Sequence, residues 1–263
     1  MTKNEKPQPV KKIIKKKESK SLFDHIREWT DPLIIAFILA MFIRLFVVEL
    51  FKIPSGSMTP TLIGDYITEL DYDDDGDDDL IVLPRQADRI QVFYKEDGKY
   101  INNEWQPVSK LTRFSLDPIK LFRLREDKIL VNKFAYWFSA PKRGDIAVFK
   151  VPKKDNGMDP WDPDKPYYIK RVVGLPNEEV SIANGHVYID KKSEIDVPQI
   201  AHNEYTNDGG YTSKQVPDGE IFMFGDNSRN SLDSRYWGGV PLENFRGKAI
   251  FRYAPFKVIG FLK

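Results

Sequence analysis

Ser55 and Ser57 flank one glycine in the stretch FKIPSGSMTPTL (51–62). A serine hydroxyl becomes a useful nucleophile only when a base takes its proton. Histidine, the usual base, is scarce: the chain has His25, His186 and His202 and no others. His25 lies ahead of a long apolar run that separates it from the serines, His186 falls in an expected hairpin, and His202 in a polar loop. The other base a serine can use is a lysine held neutral. At pH 7 a lysine of unperturbed pKa about 10.4 is neutral less than about one time in a thousand, so its surroundings must lower that value by about three units. Burial among apolar groups does this. Lys170, in YYIKRVVGLP, has Ile169, Val172, Val173 and two tyrosines around it in an expected strand, which makes it the best candidate. The competing reading is an ordinary lysine on an exposed strand face.

The run that precedes the serines is DPLIIAFILAMFIRLFVVELF, from Asp31. Residues 32–51 hold only two charges, Arg44 and Glu49, over about twenty positions, the length of a bilayer core. Arg44 lies in the last third, where its side chain can snorkel to the interface. Its cost should then fall below the roughly 2.5–3.5 kcal/mol of a central arginine. A cleaved leader has a shorter apolar region followed by a small-residue cleavage site, and neither is found here. Residues 32–51 are therefore expected to be an uncleaved transmembrane anchor. Residues 1–30 carry a net charge of +5, with lysines clustered between Lys11 and Lys20. A basic tail can signal nucleic acid, but ahead of an apolar run it fits topology and contact with anionic lipid. The expectation is a basic cytoplasmic tail (1–31), a single-pass anchor (32–51) and an extracytoplasmic domain (52–263), with no nucleic-acid partner. The absence of cysteine is compatible with an exported domain.

That domain reads as β-rich, with short apolar stretches punctuated by Pro, Gly and Asp. Strands are expected within 127–137, 145–151, 167–174, 179–190, 221–226 and 248–256, with Asn184-Gly185 as a hairpin turn. VPKKDNGMDPWDPDKP (151–166) is expected to be a surface loop. The acidic run ELDYDDDGDDD (69–79) places Asp71, Asp73, Asp75, Gly76, Asp77 and Asp79 at the first six ligand and turn positions of a calcium-loop pattern. Position 12, which needs a bidentate Glu, is Val82. A solvated acidic loop is the favoured expectation, with no metal.

Four stretches, in order after the apolar run, carry a family resemblance: IPSGSMTPTLIGD (53–65), KRGDIAVFK (142–150), YIKRVVGLPNE (168–178) and GDNSRNSLDSRYWG (225–238). The sequence resembles the bacterial type I signal peptidases, the membrane-anchored serine–lysine leader peptidases. The resemblance implies a mainly β, signal-peptidase/LexA-like catalytic domain with one N-terminal transmembrane helix. It implies that Ser57 is the nucleophile and Lys170 the general base, with Ser55 and the Ser57 amide forming the oxyanion hole. It also implies that Ser231 orients the lysine, that Asp226, Asp233 and Arg235 support the site, and that Phe51, Ile53, Tyr168 and Ile169 shape the substrate pocket. No cofactor is implied. The implied substrates are secretory preproteins cut after A-x-A-type sites at the inner (cytoplasmic) membrane of a bacterium.

The pattern departs from the family in three places. Ser228 stands where the last motif usually has Arg, with Arg229 one position later, and Pro176-Asn177-Glu178 replaces the usual PGD turn. Asparagine tolerates the left-handed conformation that such a turn needs. An insertion at about 68–126 separates the first two motifs, whereas the stretch at about 179–218 leaves room only for a small cap. A catalytically inactive membrane-anchored scaffold and a LexA-like self-cleaving regulator are the alternatives, and the apolar anchor argues against the second.

Overall fold

The structure is a computed structural model describing residues 22–263, apart from 86, 97–98, 116, 152–166, 192, 195–196 and 208–212. The lysine cluster and residues 152–166 of the expected loop 151–166 lie outside the described residues. The chain forms two compact units, one ending at Arg44 and one running from Leu45 to Lys263.

The first unit is helical. Leu22–Phe42 is an α-helix that continues into a π-helical turn, Ile43–Val47. Its apolar window, Arg27–Val47, has mean hydropathy 2.1, and none of it is buried. At 1.5 Å per residue those 21 residues span roughly 31 Å, the thickness of a bilayer's hydrocarbon core. The helix begins before Pro32, which lies inside it. It also ends before residue 51, because Val48–Lys52 is a strand paired residue for residue with Lys128–Asn132. The last four positions of the expected anchor thus belong to a sheet.

The second unit is built on an eight-stranded antiparallel sheet. Across it run Val48–Lys52, Lys128–Asn132, Phe245–Ala254, Ile146–Lys150, Tyr167–Gly174, Glu220–Phe224 and Val240–Pro241, with Gly260–Phe261 joined to Phe245–Ala254. Both faces of this sheet are covered. Ile146 and Val148 pack with Ile53, Met58, Leu62 and Ile129, while Ala147 and Phe149 pack with Val172, Met223 and Val240 on the other side. This explains the unbroken apolar run IAVF, since alternate residues of a strand point to opposite faces.

The cap is a four-stranded sheet of Ser193–Glu194, His186–Ile189, Glu179–Ala183 and Ser213–Gln215. Its hairpin turns at Asn184 (φ 49) and Gly185 (φ 81), the left-handed pair of a type I′ turn. Asn177 adopts φ 67, so the altered motif keeps its turn.

The insertion is a third sheet, of Lys99–Pro107, Arg89–Glu96, Asp79–Leu83, Tyr66–Leu70 and Arg123–Leu124. One face packs Ile63, Ile67, Leu80, Val82 and Phe93, and the other packs Ile81, Ile90, Val92 and Leu111. The short β-branched apolar runs in DLIVL and RIQVFY were a usable strand signal for this region, beside a conspicuous acidic run.

Candidate active site

Ser57 sits in a turn held by apolar anchors on either side. Ile53 and Met58 are buried in the core with Leu62, and the Thr59 N–H donates to the Gly56 carbonyl at 3.1 Å, closing the turn. Gly64 has to be glycine, because a Cβ there would lie 2.5 Å from both Ile53 O and Ser55 N. The strand Tyr167–Gly174 brings Lys170 to this turn from 113 residues away, and Lys170 Nζ donates to Ser57 Oγ at 2.7 Å and to Ile169 O at 3.0 Å. Lys170 is 3% exposed. Burial pulls its ammonium down to about 8, against the opposing charges of Asp233 and Asp226.

The pair opens on a cleft of about 680 Å³. Pro54, Ser55 and Ser57 line one side, Tyr167 to Lys170 run along it, and Arg229 to Leu232 with Tyr236 form the other wall. Ser55 is exposed where it lines the cleft. Tyr168 and Ile169 line the cleft, whereas Ile53 is core, and Phe51 reaches it only through an edge-on contact with Tyr167 (5.5 Å). Neither His186 nor His202 is among the lining residues.

Two buried ion pairs brace the motif 225–238. Arg235 Nε and Nη2 donate to the Asp233 carboxylate at 2.9 and 3.0 Å. Its Nη1 donates to Thr206 O and Ser228 Oγ, and its Nη2 to Ser228 O and Ser231 O. Asp233 also accepts from the Gly225 N–H at 3.0 Å. Asp226 is held by both Nε and Nη2 of Arg171, at 2.8 and 2.7 Å. Sequence reasoning missed Arg171, although its place directly after Lys170 was a signal, since a buried arginine in a core strand demands a carboxylate. Ser228 is buried and its hydroxyl accepts from the Thr206 N–H at 2.9 Å and from Arg235 Nη1, while Arg229 reaches Glu204 at 2.9 Å.

Ser231 lies at the site, but the structure does not show the lysine bond expected of it. Its Oγ is buried without a hydrogen-bond partner, and Lys170 Nζ is engaged by Ser57 and the Ile169 carbonyl instead. The Ser231 hydroxyl lies above Gly225, where a Cβ would stand 2.2 Å from it and 2.5 Å from Ser57 O. Gly225→Ala is therefore expected to push the two serine segments apart. A loss of about 1–3 kcal/mol in stability by chemical denaturation, typical of overpacking, should accompany a clear fall in activity.

In the acidic loop, carboxylate oxygens of Asp71, Asp73 and Asp75 come within 4.8 Å of one another. Asp71 spends its oxygens on the Asp75 and Gly76 N–H groups, and Asp79 turns inward to accept from Tyr72 and Lys95. Val82 is core and offers no ligand.

The second unit is thus a β-rich domain in which a buried lysine meets a serine at the edge of an open cleft. Residues 26–104 and 123–254 match the family model for signal peptidase, peptidase S26, and the chain belongs to that family. A probable signal peptidase I-2 of Synechocystis sp. is 35% identical over 136 residues, 52% of this chain and 59% of that protein. The signal peptidase I of Buchnera aphidicola is 30% identical across 81% of this chain and 70% of its own length. The crystal structure of a signal peptidase I from Enterococcus faecalis is 27% identical, covering 42% of this chain and 97% of that one, with a TM-score of 0.32. The matches to the first curated relatives span 59 to 63% of those proteins' lengths.

Proposed function

We propose that the protein is a membrane-anchored serine endopeptidase that removes N-terminal signal peptides from exported preproteins, with Ser57 as nucleophile and Lys170 as general base. The observation that carries this reading is the 2.7 Å contact between Lys170 Nζ and Ser57 Oγ inside the protein, with the lysine pulled down to about 8 by burial. Family membership supports the substrate class.

In the proposed reaction neutral Lys170 takes the Ser57 proton as Oγ attacks the carbonyl carbon before the scissile bond. The oxyanion is stabilised by the Ser57 N–H and the Ser55 hydroxyl. The lysine ammonium gives its proton to the departing amine as the C–N bond breaks. A water then loses its proton to Lys170 and attacks the ester, which releases the signal peptide and restores Ser57. Ser231 is proposed to steady the lysine after its proton has moved.

Strand register supports extended binding. Glu220–Phe224 pairs with Tyr167–Gly174 only from Arg171 onward, so the backbone of Tyr167–Lys170 has no strand partner on that side among the described residues. A substrate strand can add there, with shallow pockets selecting small residues of A-x-A type. The helix Leu22–Phe42 and its apolar window support anchoring, with the N-terminus in the cytoplasm and residues from about 52 onward outside. Anchoring would raise the effective concentration of membrane-held substrates.

The test is cleavage of a preprotein bearing an A-x-A site, by the full chain in detergent. Cut product at that site is expected, whereas a folded but inert protein would favour the scaffold reading. Cleavage of the chain itself and not of the preprotein would favour the self-cleaving one. Activity should rise with pH through an acid limb near 8, where Lys170 loses its proton. A limb near 6.5, the histidine range, would remove Lys170 as the base.

A further inference from the structure

The strand Arg89–Glu96 of the insertion interrupts an apolar stretch with Gln91, which is fully buried. Its amide is fully engaged. Nε2 donates to Asn103 Oδ1 at 2.7 Å and to Asn227 Oδ1 at 2.8 Å, and Oε1 accepts from Asn227 Nδ2 at 2.7 Å. Gln91 and Asn227 therefore form a reciprocal amide pair across 136 residues, joining the insertion to the motif that carries the site.

Asn227 in turn grips the nucleophile turn twice. Its Nδ2 donates to Gly56 O at 3.0 Å, and its backbone N–H donates to Ser57 O at 3.1 Å. Gly56 C=O and Ser57 N–H belong to one rigid peptide plane and point in opposite directions. Fixing the Gly56 oxygen thus fixes where the Ser57 N–H points, and that N–H is an oxyanion donor in the proposed mechanism. The pairing with Gln91 also sets which end of the Asn227 amide faces Gly56, because Oδ1 in that position would set acceptor against acceptor.

The geometry points to Gln91 as a positioning residue for Ser57, acting through Asn227, and so to the insertion as a working part of the catalytic site. The inference rests on the signal-peptidase reading above and assigns the insertion a task within it. Transition-state geometry is the quantity at stake, so the effect belongs in kcat and not in KM.

The experiment compares Gln91→Leu with Val92→Ala, which thins the opposite face of the same strand without touching Asn227. Gln91→Leu is expected to lower kcat for preprotein cleavage by about 10- to 100-fold, with KM changed by less than about 3-fold, as small misplacements of reacting groups do. Val92→Ala, at a comparable loss of thermal stability, should hold kcat within about 2-fold, as expected of a purely structural change. Amide hydrogen exchange over residues 56–59, read by mass spectrometry, should accelerate in Gln91→Leu and not in Val92→Ala. Wild-type kcat in Gln91→Leu, or an equal kcat loss in Val92→Ala, would overturn the inference. If the unmodified protein cleaves nothing, the functional reading fails by itself. The exchange comparison still decides whether Gln91 holds the turn, and unchanged exchange in Gln91→Leu would refute it.

Discussion

Ser57→Ala and Lys170→Met are each expected to lower kcat/KM for preprotein cleavage by about 10⁴-fold or more, and the double variant to lose no more than the worse single one. Groups that act as one catalytic unit are non-additive in this way. The two replacements should differ in stability. Ser57→Ala removes one hydroxyl beside a buried lysine. Lys170→Met removes a buried ammonium whose pKa is lowered from 10.5 to about 8. Between those values the unfolded chain binds a proton that the folded protein does not, so stability rises with pH across that window. Below pH 8 the folded protein carries the charge at a cost of about 3 kcal/mol, at roughly 1.36 kcal/mol per pKa unit. Lys170→Met is therefore expected to be more stable than wild type at pH 7, with the advantage vanishing by about pH 10.5. Denaturant unfolding at the two pH values measures this. A variant that is less stable at pH 7, or whose advantage grows with pH, would contradict a desolvated lysine.

Arg235→Met carries the second large expected effect. It leaves the Asp233 carboxylate buried and uncompensated, and it strips donors from Thr206 O, Ser228 O and Ser231 O. Breaking one side of a buried pair typically costs about 3–5 kcal/mol. Activity should fall as well, since the same guanidinium holds the segment that forms one wall of the cleft. Replacing both partners, as Asp233→Leu with Arg235→Met, should recover part of the stability, because an apolar pair leaves no stranded charge. A single variant that unfolds at the wild-type denaturant concentration would show that the pair carries no structural weight.

The family was legible early. Four ordered motifs specified the family, whereas the serine pair and a lysine among apolar neighbours left the exposed-face reading of Lys170 open, and its burial came only with the structure. The Asn184-Gly185 hairpin, the turn at Asn177 and the strands within 145–151 and 167–174 were also readable, because these signals lie within a few residues of one another. The helix boundaries were not. Nothing apolar separates a membrane segment from a strand in VVELF, and only pairing with Lys128–Asn132 decides where one ends.

Polar partners separated by long stretches of chain depend on how strands pair and sheets dock within the second unit. Pairing of Glu220–Phe224 with Tyr167–Gly174 inside the eight-stranded sheet gives Asp226 to Arg171, and packing against that same sheet places Ile53 in the core. Docking of the insertion's sheet carries Gln91 to Asn227, which holds the turn that contains Ser57. Residue types and short-range spacing set which reactive groups and local turns the chain carries, since intrinsic reactivity and local backbone preference belong to the residues themselves. Burial and hydrogen-bond geometry, which lower the lysine's pKa and aim the Ser57 N–H, arise only when distant segments exclude water from between them.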